Sequence, residues 1–475
     1  MKNWVTDIKP QTIFLIIGLI YGLGFLLANP PLLGVDNEGE HYDKALYLSD
    51  GYVIPEIFDH HAGYYVPQGA YNLEVKFYTL RNMHKKIGVD DILSSLNQPL
   101  NESNKVFTDV DRTPPIPSTA VSFSAIITYS PLPYLASAFA MTIGKILSFS
   151  PIILMYIGRL ANLIVWLTFI YLAIRITPVH KWVLLMLSLM PMTILAGSSL
   201  SADSFAIALS FLVIAIFLNF AFNNNIKNIE TKEIGILFIL MIMLALSKQT
   251  YFFLIFLFFI IPTNKFVNRN RMFIIFIILF LSTFLISIYW NMDVNRFYLP
   301  TFLHVSIPLQ TSFIESNPLN FINIIINTIL TKNIVLSIIT SFIGDFRGYT
   351  IYLPNWLITF YFILYPSMLT LTALLDKSDI IVDIKQKLII LITFITVFVL
   401  ICISMYLTGT PVGQNTINNI VGRYFIPIAP LLFLVLYNNK IKFNIGKGYN
   451  LIIISVIIFS LTIALYLLVT GNFNL

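Results

Sequence analysis

The chain has 475 residues, of which 57% are hydrophobic and only 11% are charged. So few charges could not cover the surface of a soluble protein of this length, so the composition excludes a soluble globular protein and predicts a polytopic membrane protein. The net charge of +6 does not point to nucleic acid, because most basic residues occupy short loops between apolar segments. The single cysteine, Cys402, excludes an intramolecular disulfide bond.

The apolar segments predict eleven membrane-spanning helices, each of which takes about 20 mostly apolar residues. The segment 132–149 is ambiguous, because it contains Lys145 and begins with the proline-broken sequence Ser130-Pro131-Leu132-Pro133-Tyr134. If it spanned, every later loop would change sides and the loop charges would conflict with the N-terminus, so it is not counted. With eleven spans, lysines and arginines gather in the loops on the side of the N-terminus, which predicts a cytoplasmic N-terminus. The predicted spans lie near residues 12–28, 152–174, 182–198, 204–222, 234–263 (two short spans broken at 247–249), 272–291, 356–375, 388–408, 423–438 and 450–470.

Two long segments then lie on the extracytoplasmic side, and no separate soluble module is predicted. The first, 29–151, is expected to carry interfacial helices. The second, 292–355, contains the apolar stretch 321–343, whose asparagines and lysine predict that it lies in the interface or re-enters the membrane. It also contains the polar sequence Asp345-Phe346-Arg347-Gly348. The predicted fold is a single all-α integral membrane domain over residues 1–475.

An acidic cluster, Asp36-Asn37-Glu38-Gly39-Glu40-His41, follows directly on the first apolar segment. Carboxylates are costly inside hydrocarbon, so three of them beside a membrane exit are expected at a water-facing rim. A catalyst that works on a lipid-linked substrate needs its charged groups at that depth. The alternative is an ordinary solvated loop.

Further polar residues fall at the extracytoplasmic ends of later predicted helices. Asp203 lies in the turn 197–203, Lys248 lies between the fifth and sixth spans, and Arg423 and Tyr424 precede the tenth. Arg159 lies about two turns inside the second span, where an arginine needs a carboxylate or phosphate partner. Because all these residues fall on the extracytoplasmic side, we predict one outward-facing cavity with acids and bases at its rim.

These residue types suit chemistry at a phosphate. Carboxylates can take a proton from an attacking hydroxyl or hold a divalent cation such as Mg²⁺ or Mn²⁺, which stays an open candidate for a cofactor. Arginine and lysine can hold a phosphate, and a leaving phosphate needs positive charge. The combination favours transfer from a phosphate-linked lipid donor.

Each residue also has a structural interpretation. Asp203 could cap a helix with Ser201, Arg159 could pair with an acid for packing, and Lys248 could extend to lipid headgroups. Arg423 with Tyr424 could anchor the interface. The His60-His61 pair is interpreted as part of a polar loop, because no further metal ligand keeps a recognisable spacing, and no residues are assigned to a metal site.

At four places the chain resembles a bacterial and archaeal family of predicted multi-spanning membrane proteins that is grouped with the GT-C superfamily of lipid-linked-sugar glycosyltransferases. The resemblance covers most of the chain, and its last two places are the most specific. The four places are Asn29-Pro30-Pro31 with Glu38-Gly39-Glu40-His41-Tyr42, Tyr129-Ser130-Pro131-Leu132-Pro133-Tyr134 with Gly158-Arg159-Leu160-Ala161-Asn162, Ala196-Gly197-Ser198-Ser199-Leu200-Ser201-Ala202-Asp203, and Gly422-Arg423-Tyr424-Phe425-Ile426-Pro427.

The resemblance implies a GT-C-like fold in which an Asp-Glu pair opens the first outer loop and the aspartate acts at the reaction centre. It also implies that a proline-led helix such as 131–149 lies along the interface. This chain has Asn37 at the aspartate position and Glu38 at the glutamate position. Asparagine cannot be a general base, so either Asp36 or Glu38 replaces it, or catalysis has been lost. We favour Asp36 as the base, with Glu38 orienting substrate or metal.

The leading hypothesis is an inverting glycosyltransferase of the cell membrane. It would move a sugar from a polyprenyl-phosphate donor to a cell-envelope glycan, a polymer or a protein on the outer face. The predicted catalytic residues are Asp36 and Glu38, and the predicted substrate-binding residues are His41, Arg159, Asp203, Lys248, Arg423 and Tyr424. A transporter or flippase for lipid-linked glycans is the alternative from a different class, and a non-catalytic scaffold is the third.

Overall fold

The computed structural model describes residues 9–35, 37–58, 61–109, 124–297, 304–344, 353–375, 378, 380–437 and 448–474. Three sequence predictions lie outside the described part of the chain: the role of Asp36 as a base, the side chains of the His60-His61 pair, and the polar sequence 345–348.

The described chain is mostly helical, with a few short strands. The strands are β1 (Glu56–Phe58), β2 (His61–Pro67) and β3 (Lys105–Asp109). In chain order the α-helices are α1 (Pro10–Ala28), α2 (Glu38–Ser49), α3 (Gln68–Asn82), α4 (Val89–Leu96), α5 (Leu135–Ile146), α6 (Pro151–Ile176), α7 (Lys181–Ser188), α8 (Pro191–Gly197), α9 (Ala202–Phe222), α10 (Thr231–Ser247), α11 (Arg269–Val294), α12 (Ile307–Ser316), α13 (Pro318–Leu330), α14 (Lys332–Ile343), α15 (Asn355–Thr359), α16 (Tyr365–Leu374), α17 (Ile384–Gly409), α18 (Ala429–Leu436) and α19 (Gly448–Asn472). Short 3₁₀ segments lie between them, among them Ser124–Thr128, Gln249–Ile260 and Gly422–Ile428, and a π-helical turn joins α15 to α16.

Seven helices among the described residues are long and apolar enough to cross a membrane. They are α1, α6, α9, α11, the continuous helix Asn355–Leu374, α17 and α19. An eighth span results if α13 and α14, which meet at an angle of 72°, are counted as one. That bent pair covers the stretch 321–343, for which the sequence predicted an interfacial or re-entrant path. The count of eleven spans and the cytoplasmic N-terminus stay predictions.

Four of the predicted spans are shorter or broken helices in the structure. Pro191 divides the segment 182–198 into α7 and α8, because proline lacks the amide hydrogen that would continue the helix. The run 234–263 breaks at Lys248, which is extended, into α10 and the 3₁₀ segment Gln249–Ile260. The predicted span 423–438 begins as the 3₁₀ helix Gly422–Ile428, which contains Pro427, and continues as α18.

The core forms around α6 and α9. The apolar window of α9 is 89% buried, whereas that of α11 is 28% buried, so α9 lies inside the bundle and α11 lies at its periphery. Helix α1 approaches α6 through Gly18 and Gly22, since an added Cβ at these positions would lie 3.0 Å and 2.8 Å from leucine side chains of α6. Small residues at such contacts let membrane helices pack closely.

A small antiparallel sheet with strand order β1-β2-β3 lies in the segment between α1 and α6. Glu56 pairs with Gly63 across β1 and β2, and Tyr65 pairs with Phe107 across β2 and β3. The all-α prediction omitted this sheet. Strands of three to seven residues carry too little alternation to be distinguished from loops in sequence.

Helix α5 has the character of an interfacial helix. It is 12 residues long, too short to span a bilayer, and follows the prolines of 131–133. Its Phe139 and Ile146 side chains are 69% and 78% exposed, so an apolar face is left open on a chain that spans the membrane elsewhere. The interpretation of 132–149 as a segment that does not span agrees with this length.

One end of the bundle, which we call the α2 end, gathers the residues that the sequence singled out. Helix α2, the first turns of α6 and α9, Lys248 directly after α10 and the start of Gly422–Ile428 all meet there, as their side-chain contacts show. The opposite end holds other lysines that bind helix carboxyl ends, such as Lys265, whose Nζ donates to the carbonyl oxygens of Phe220 and Asn223.

Candidate functional site

A buried ion pair joins α2 to α6 at the α2 end. Arg159 Nε donates to Glu38 Oε1 at 2.8 Å, and Arg159 Nη2 donates to Glu38 Oε2 at 2.5 Å. Neither side chain has any exposed surface. We call Glu38 and Arg159 the buried pair. Removing either partner would leave the other charge uncompensated in an apolar interior, which is strongly destabilising.

Glu38 accepts hydrogen bonds from the backbone as well. The N–H groups of Gly34 and Leu200 donate to Oε2 at 2.5 Å and to Oε1 at 2.8 Å. Residue 34 must be glycine for this approach, because a Cβ there would lie 2.5 Å from Ser199 Oγ and 2.7 Å from Glu38 Oε2. Glu38 therefore ties α2 to α6 and to the turn before α9.

Arg159 uses its other donors on the carboxyl end of α1. Its Nη1 and Nη2 atoms donate to three carbonyl oxygens, those of Leu26 at 3.1 Å, Asn29 at 3.0 Å and Pro30 at 2.7 Å. The guanidinium thus satisfies carbonyls that the end of α1 and the following prolines would otherwise leave open. Arg159 thus stabilises the end of α1 at the Asn-Pro-Pro sequence.

The environment of the buried pair favours a role other than the predicted one. Glu38 was predicted as a base or an orienting group and Arg159 as a phosphate ligand. A carboxylate offers about four lone-pair sites, and in the structure four donors occupy those of Glu38. Because both side chains are also sealed from solvent, this environment fits residues that position the site better than residues that contact a substrate.

Asn37 stands where the resemblance led us to expect an aspartate, and its backbone conformation restricts which residues fit there. It is the residue before α2 and lies in the left-handed region, with φ 63° and ψ 28°. Asparagine and aspartate are the side chains that tolerate this conformation best after glycine. Asparagine therefore meets the backbone requirement but supplies no base.

Glu74 of α3 is a buried carboxylate that the sequence analysis missed. It is 3% exposed and packs directly on the first turn of α2. A Cβ at Gly39 would lie 2.2 Å from Glu74 Oε1, so only glycine fits at position 39. A carboxylate near a helix amino end is favourable. The signal in the sequence was Gly39 itself, which stands between two glutamates inside a helix.

A second group of charges, Asp203, Lys248 and Arg423, forms what we call the charged cluster. Lys248 Nζ pairs with Asp203 Oδ1, and Arg423 Nε lies 3.3 Å from Asp203 Oδ2. Their side chains keep 14–17% of their surface exposed, in contrast to the buried pair. Burial by itself lowers the pKa of Lys248, but the Asp203 carboxylate raises that pKa well above its usual value, so the ammonium stays charged. Three predicted substrate-binding residues are thus in contact.

Aromatic rings surround the cations of the charged cluster. Lys248 Nζ lies 5.4 Å from the ring centre of Tyr129 and 5.2 Å from that of Tyr424, and the guanidinium of Arg423 lies 5.3 Å from the Tyr424 ring. Each distance is within cation–π range. Tyr251 fixes this arrangement by donating from its hydroxyl to the carbonyl oxygen of Tyr424 at 2.8 Å.

Local sequence explains how the cluster is positioned. Ser201 caps α9, and its Oγ accepts a hydrogen bond from the Asp203 N–H at 3.0 Å. This turn therefore contains a helix cap, while the Asp203 side chain makes the ion pairs of the charged cluster. Asn162 Nδ2 binds the same turn through the carbonyl oxygen of Ser199 at 2.6 Å. Gly422 packs on the backbone of α14, since a Cβ there would lie 1.9 Å from the Ile338 carbonyl oxygen, and this contact places the next residue, Arg423.

His41 lies beside the charged cluster as a neutral group. Its Nδ1 is 2.7 Å from the Tyr134 hydroxyl, and its ring stacks on Tyr129 at 6.4 Å between centres. Burial lowers the pKa of His41 to about 3, despite the opposing effect of Asp203. At neutral pH the imidazole can donate or accept a hydrogen bond, but it carries no charge toward a phosphate.

Lys44, one turn after His41, is a further residue that the sequence analysis did not single out. It is 2% exposed, and its Nζ donates to the carbonyl oxygens of Ile126 at 2.9 Å and Ile127 at 3.3 Å and to that of Tyr129. Burial lowers its pKa well below the usual value. Lys44 holds the segment that carries Tyr129 against α2 and so shapes the aromatic wall.

The described residues contain no group of three or more His, Cys, Asp or Glu side chains that could hold a metal ion. Glu38 and Asp203 instead pair with arginine and lysine. A divalent cation therefore stays a candidate that rests on the sequence alone, because the described residues provide no set of ligands for it.

These features define a class: a multi-pass membrane protein that gathers a sealed ion pair and a partly exposed charged cluster at one end of its helix bundle. Residues 19–432 match the family described as predicted membrane protein (DUF2142), and the chain belongs to that family. No curated protein matches the chain. No solved structure matches it either.

Proposed function

We propose that this protein is a glycosyltransferase of GT-C type that takes a sugar from a polyprenyl-phosphate donor. The acceptor is a cell-envelope glycan, a polymer or a protein on the outer face of the cell membrane, and the N-terminus lies in the cytoplasm. The observation that carries the proposal is the charged cluster, in which two cations share one carboxylate among tyrosine rings at the end of an apolar helix bundle.

The charge of the cluster supports a phosphodiester as its ligand. Lys248 and Arg423 supply two positive charges and Asp203 one negative charge, which leaves one net positive charge. A sugar joined to a lipid through a single phosphate carries one negative charge, so it balances the cluster. Asp203 lies in contact with both cations, and the phosphate would share them with it.

In the proposed reaction the acceptor oxygen attacks the anomeric carbon of the sugar. The bond from that carbon to the phosphate oxygen breaks, and the phosphate leaves with the electron pair as polyprenyl phosphate. Lys248 and Arg423 stabilise the charge that develops on this leaving group. The proton of the acceptor hydroxyl goes to a carboxylate, for which Asp36 remains the proposal from the sequence and Asp203 is the alternative among the described residues. Glu38 has its lone pairs occupied and positions the turn that carries Asp203.

A seam of phenylalanines supports a polyprenyl chain as the lipid part. The 3₁₀ segment Gln249–Ile260 begins directly after Lys248, and in a 3₁₀ helix every third side chain lies on one line. Phe253, Phe256 and Phe259 occupy that line and are half-buried. They pack on rings of α11, for example Phe259 on Phe276 with centres 4.4 Å apart. At about 2 Å per residue the segment is about 24 Å long, which approaches the thickness of the hydrocarbon core.

Sugar transfer in proteoliposomes tests this proposal. The purified protein is reconstituted and given radiolabelled polyprenyl-phosphate sugars together with envelope glycan or protein acceptors. Transfer of label to an acceptor by the wild type, and its loss in Asp36→Asn, would support the proposal and assign Asp36 as the base. Loss in Asp203→Asn alone would show that the charged cluster is needed without assigning the base, because Asp203 also pairs with Lys248 and Arg423. Label that crosses the bilayer without transfer would instead support a flippase.

A further inference from the structure

The hydrogen bond between His41 and Tyr134 bears on which nitrogen of the His41 ring carries the proton. Tyr134 is 2% exposed, and among the described residues its hydroxyl has one hydrogen-bond partner, His41 Nδ1, at 2.7 Å. Burial raises the pKa of Tyr134 well above its usual value, so the phenol keeps its proton. That proton needs an acceptor, because a buried donor without one is costly.

Two arrangements of the protons are possible, and one of them satisfies both groups. Burial lowers the pKa of His41 to about 3, so at neutral pH the ring has one N–H group and one acceptor nitrogen. If Nδ1 carried the proton and donated to Tyr134, the phenol O–H would have no acceptor in the described part of the chain. If Nδ1 is the acceptor, the phenol O–H donates to it. The second arrangement places the proton of His41 on Nε2, so Tyr134 is a positioning residue that sets the tautomer.

His41 Nε2 is then a hydrogen-bond donor beside the charged cluster. It makes no hydrogen bond to a described residue, and His41 keeps 6% of its surface exposed. The His41 ring stacks on Tyr129, and Lys248 Nζ lies 5.4 Å from the centre of the same ring. The charges of Asp203, Lys248 and Arg423 all act on the His41 imidazole, as expected of neighbouring groups. A ligand on the charged cluster would therefore meet an uncharged N–H donor as well as the two cations.

The charge balance of the site favours the sugar as the acceptor of this hydrogen bond. The net positive charge of the cluster already matches the single negative charge of the phosphate. A sugar offers neutral hydroxyl oxygens, which suit a neutral donor. We propose that His41 Nε2 donates a hydrogen bond to a hydroxyl group of the sugar that the phosphate carries, and that Tyr134 holds the tautomer that makes this bond possible. This inference rests on the proposed function, because it requires a phosphate-linked sugar at the cluster.

Solid-state NMR of the full-length protein in lipid bilayers tests the tautomer without any substrate. The protein is prepared with ¹⁵N-labelled histidine, and the signals of His41 are assigned by their absence in His41→Gln. The wild type is expected to show a protonated Nε2 and an unprotonated Nδ1. Tyr134→Phe removes the phenol donor, so a fraction of Nδ1 should become protonated. Tyr52→Phe, which removes a half-exposed hydroxyl outside this hydrogen bond, is the matched control and should leave the signals unchanged. A protonated Nδ1 in the wild type would overturn the assignment.

Lipid binding tests the contact to the sugar. Thermal unfolding of the purified protein in detergent is followed with decaprenyl phosphate and with its glucose, galactose and mannose conjugates. His41→Leu should lower the affinity for at least one conjugate about fivefold, the factor for one neutral hydrogen bond, and leave the affinity for decaprenyl phosphate unchanged. Comparing the two kinds of lipid within one variant removes any general effect of the substitution on folding. His41→Gln, whose amide N–H replaces that of Nε2, should restore most of the affinity.

Three results of the binding experiment would refute the sugar contact. Wild-type affinity of His41→Leu for every conjugate would show that the ring donates nothing to the sugar. An equal loss for decaprenyl phosphate and for the conjugates would place the bond on the phosphate instead. A wild type that binds none of these lipids would refute the proposed function and with it the sugar contact, whereas the tautomer is decided by the NMR spectra alone.

Discussion

The buried pair yields a prediction that separates a positioning role of Glu38 from a catalytic one. Glu38→Gln removes the negative charge but keeps the size of the side chain, so Arg159 is left buried without a counter-charge. Breaking a sealed ion pair by removing one partner costs about 3–5 kcal/mol. Two of the four hydrogen bonds that Glu38 accepts come from Arg159 and two from the backbone, so the loss reaches α2, α6 and the turn before α9 together.

The assay is the free energy of unfolding in mixed micelles, measured by titration with a denaturing detergent. Glu38→Gln and Arg159→Gln are each expected to cost about 3–5 kcal/mol, and the double variant should cost less than their sum by about 0.5–3 kcal/mol because the two residues contact each other. Lys105→Gln, which breaks a partly exposed ion pair with Asp50, is the control and should cost at most about 1 kcal/mol.

Two results would refute this reasoning. If Glu38→Gln unfolded with the free energy of the wild type, the carboxylate would not be holding Arg159. If the same variant were stable yet inactive in sugar transfer, Glu38 would have the catalytic role that the sequence suggested. Additive costs in the double variant would likewise contradict a direct interaction.

Three further predictions follow from single side chains. The pKa of His41 is about 3 in the folded protein, against about 6.5 when unfolded, so the unfolded state binds the extra proton between these values. The wild type should therefore lose about 1–2 kcal/mol of stability between pH 6.5 and pH 5 relative to His41→Gln, and parallel stability curves would disprove this. Gly422→Ala forces a Cβ to within 1.9 Å of a carbonyl oxygen and should abolish the activity that depends on Arg423, whereas Gly235→Ala, with open space around it, should be neutral or slightly stabilising by thermal unfolding. Phe256→Ala should raise KM about tenfold for a long polyprenyl donor and little for a ten-carbon one, and equal changes for both donors would argue against the seam as the lipid path.

The convergence of polar residues could be predicted because helix direction alternates along a membrane protein. Once the spans are placed, Asp203, Lys248 and Arg423 must fall at one end of the bundle, and the structure brings these three into contact. The short length of α5 also agrees with the sequence, where the distribution of loop charges argued against a span.

The pairing of charges could not be predicted from the sequence. Arg159 was expected to need an acid or a phosphate, but only the three-dimensional packing of α2 on α6 brings Glu38 to it. Glu74 and Lys44 were missed for the same reason, since Glu74 packs on Gly39 of another helix and Lys44 binds distant carbonyl oxygens. The 72° bend between α13 and α14 and the long 3₁₀ segment were likewise not predicted from the sequence.

The central claim is that the charged cluster holds the phosphate of a lipid-linked sugar, and donor kinetics test it most directly. The measurement is the KM for a radiolabelled polyprenyl-phosphate sugar in proteoliposomes, for the wild type, Lys248→Gln, Arg423→Gln and the control Lys85→Gln. Loss of one charged contact to the phosphate should raise KM at least tenfold in the first two variants and leave the control unchanged. Wild-type kinetics in both cluster variants, or no transfer by the wild type from any such donor, would contradict the account.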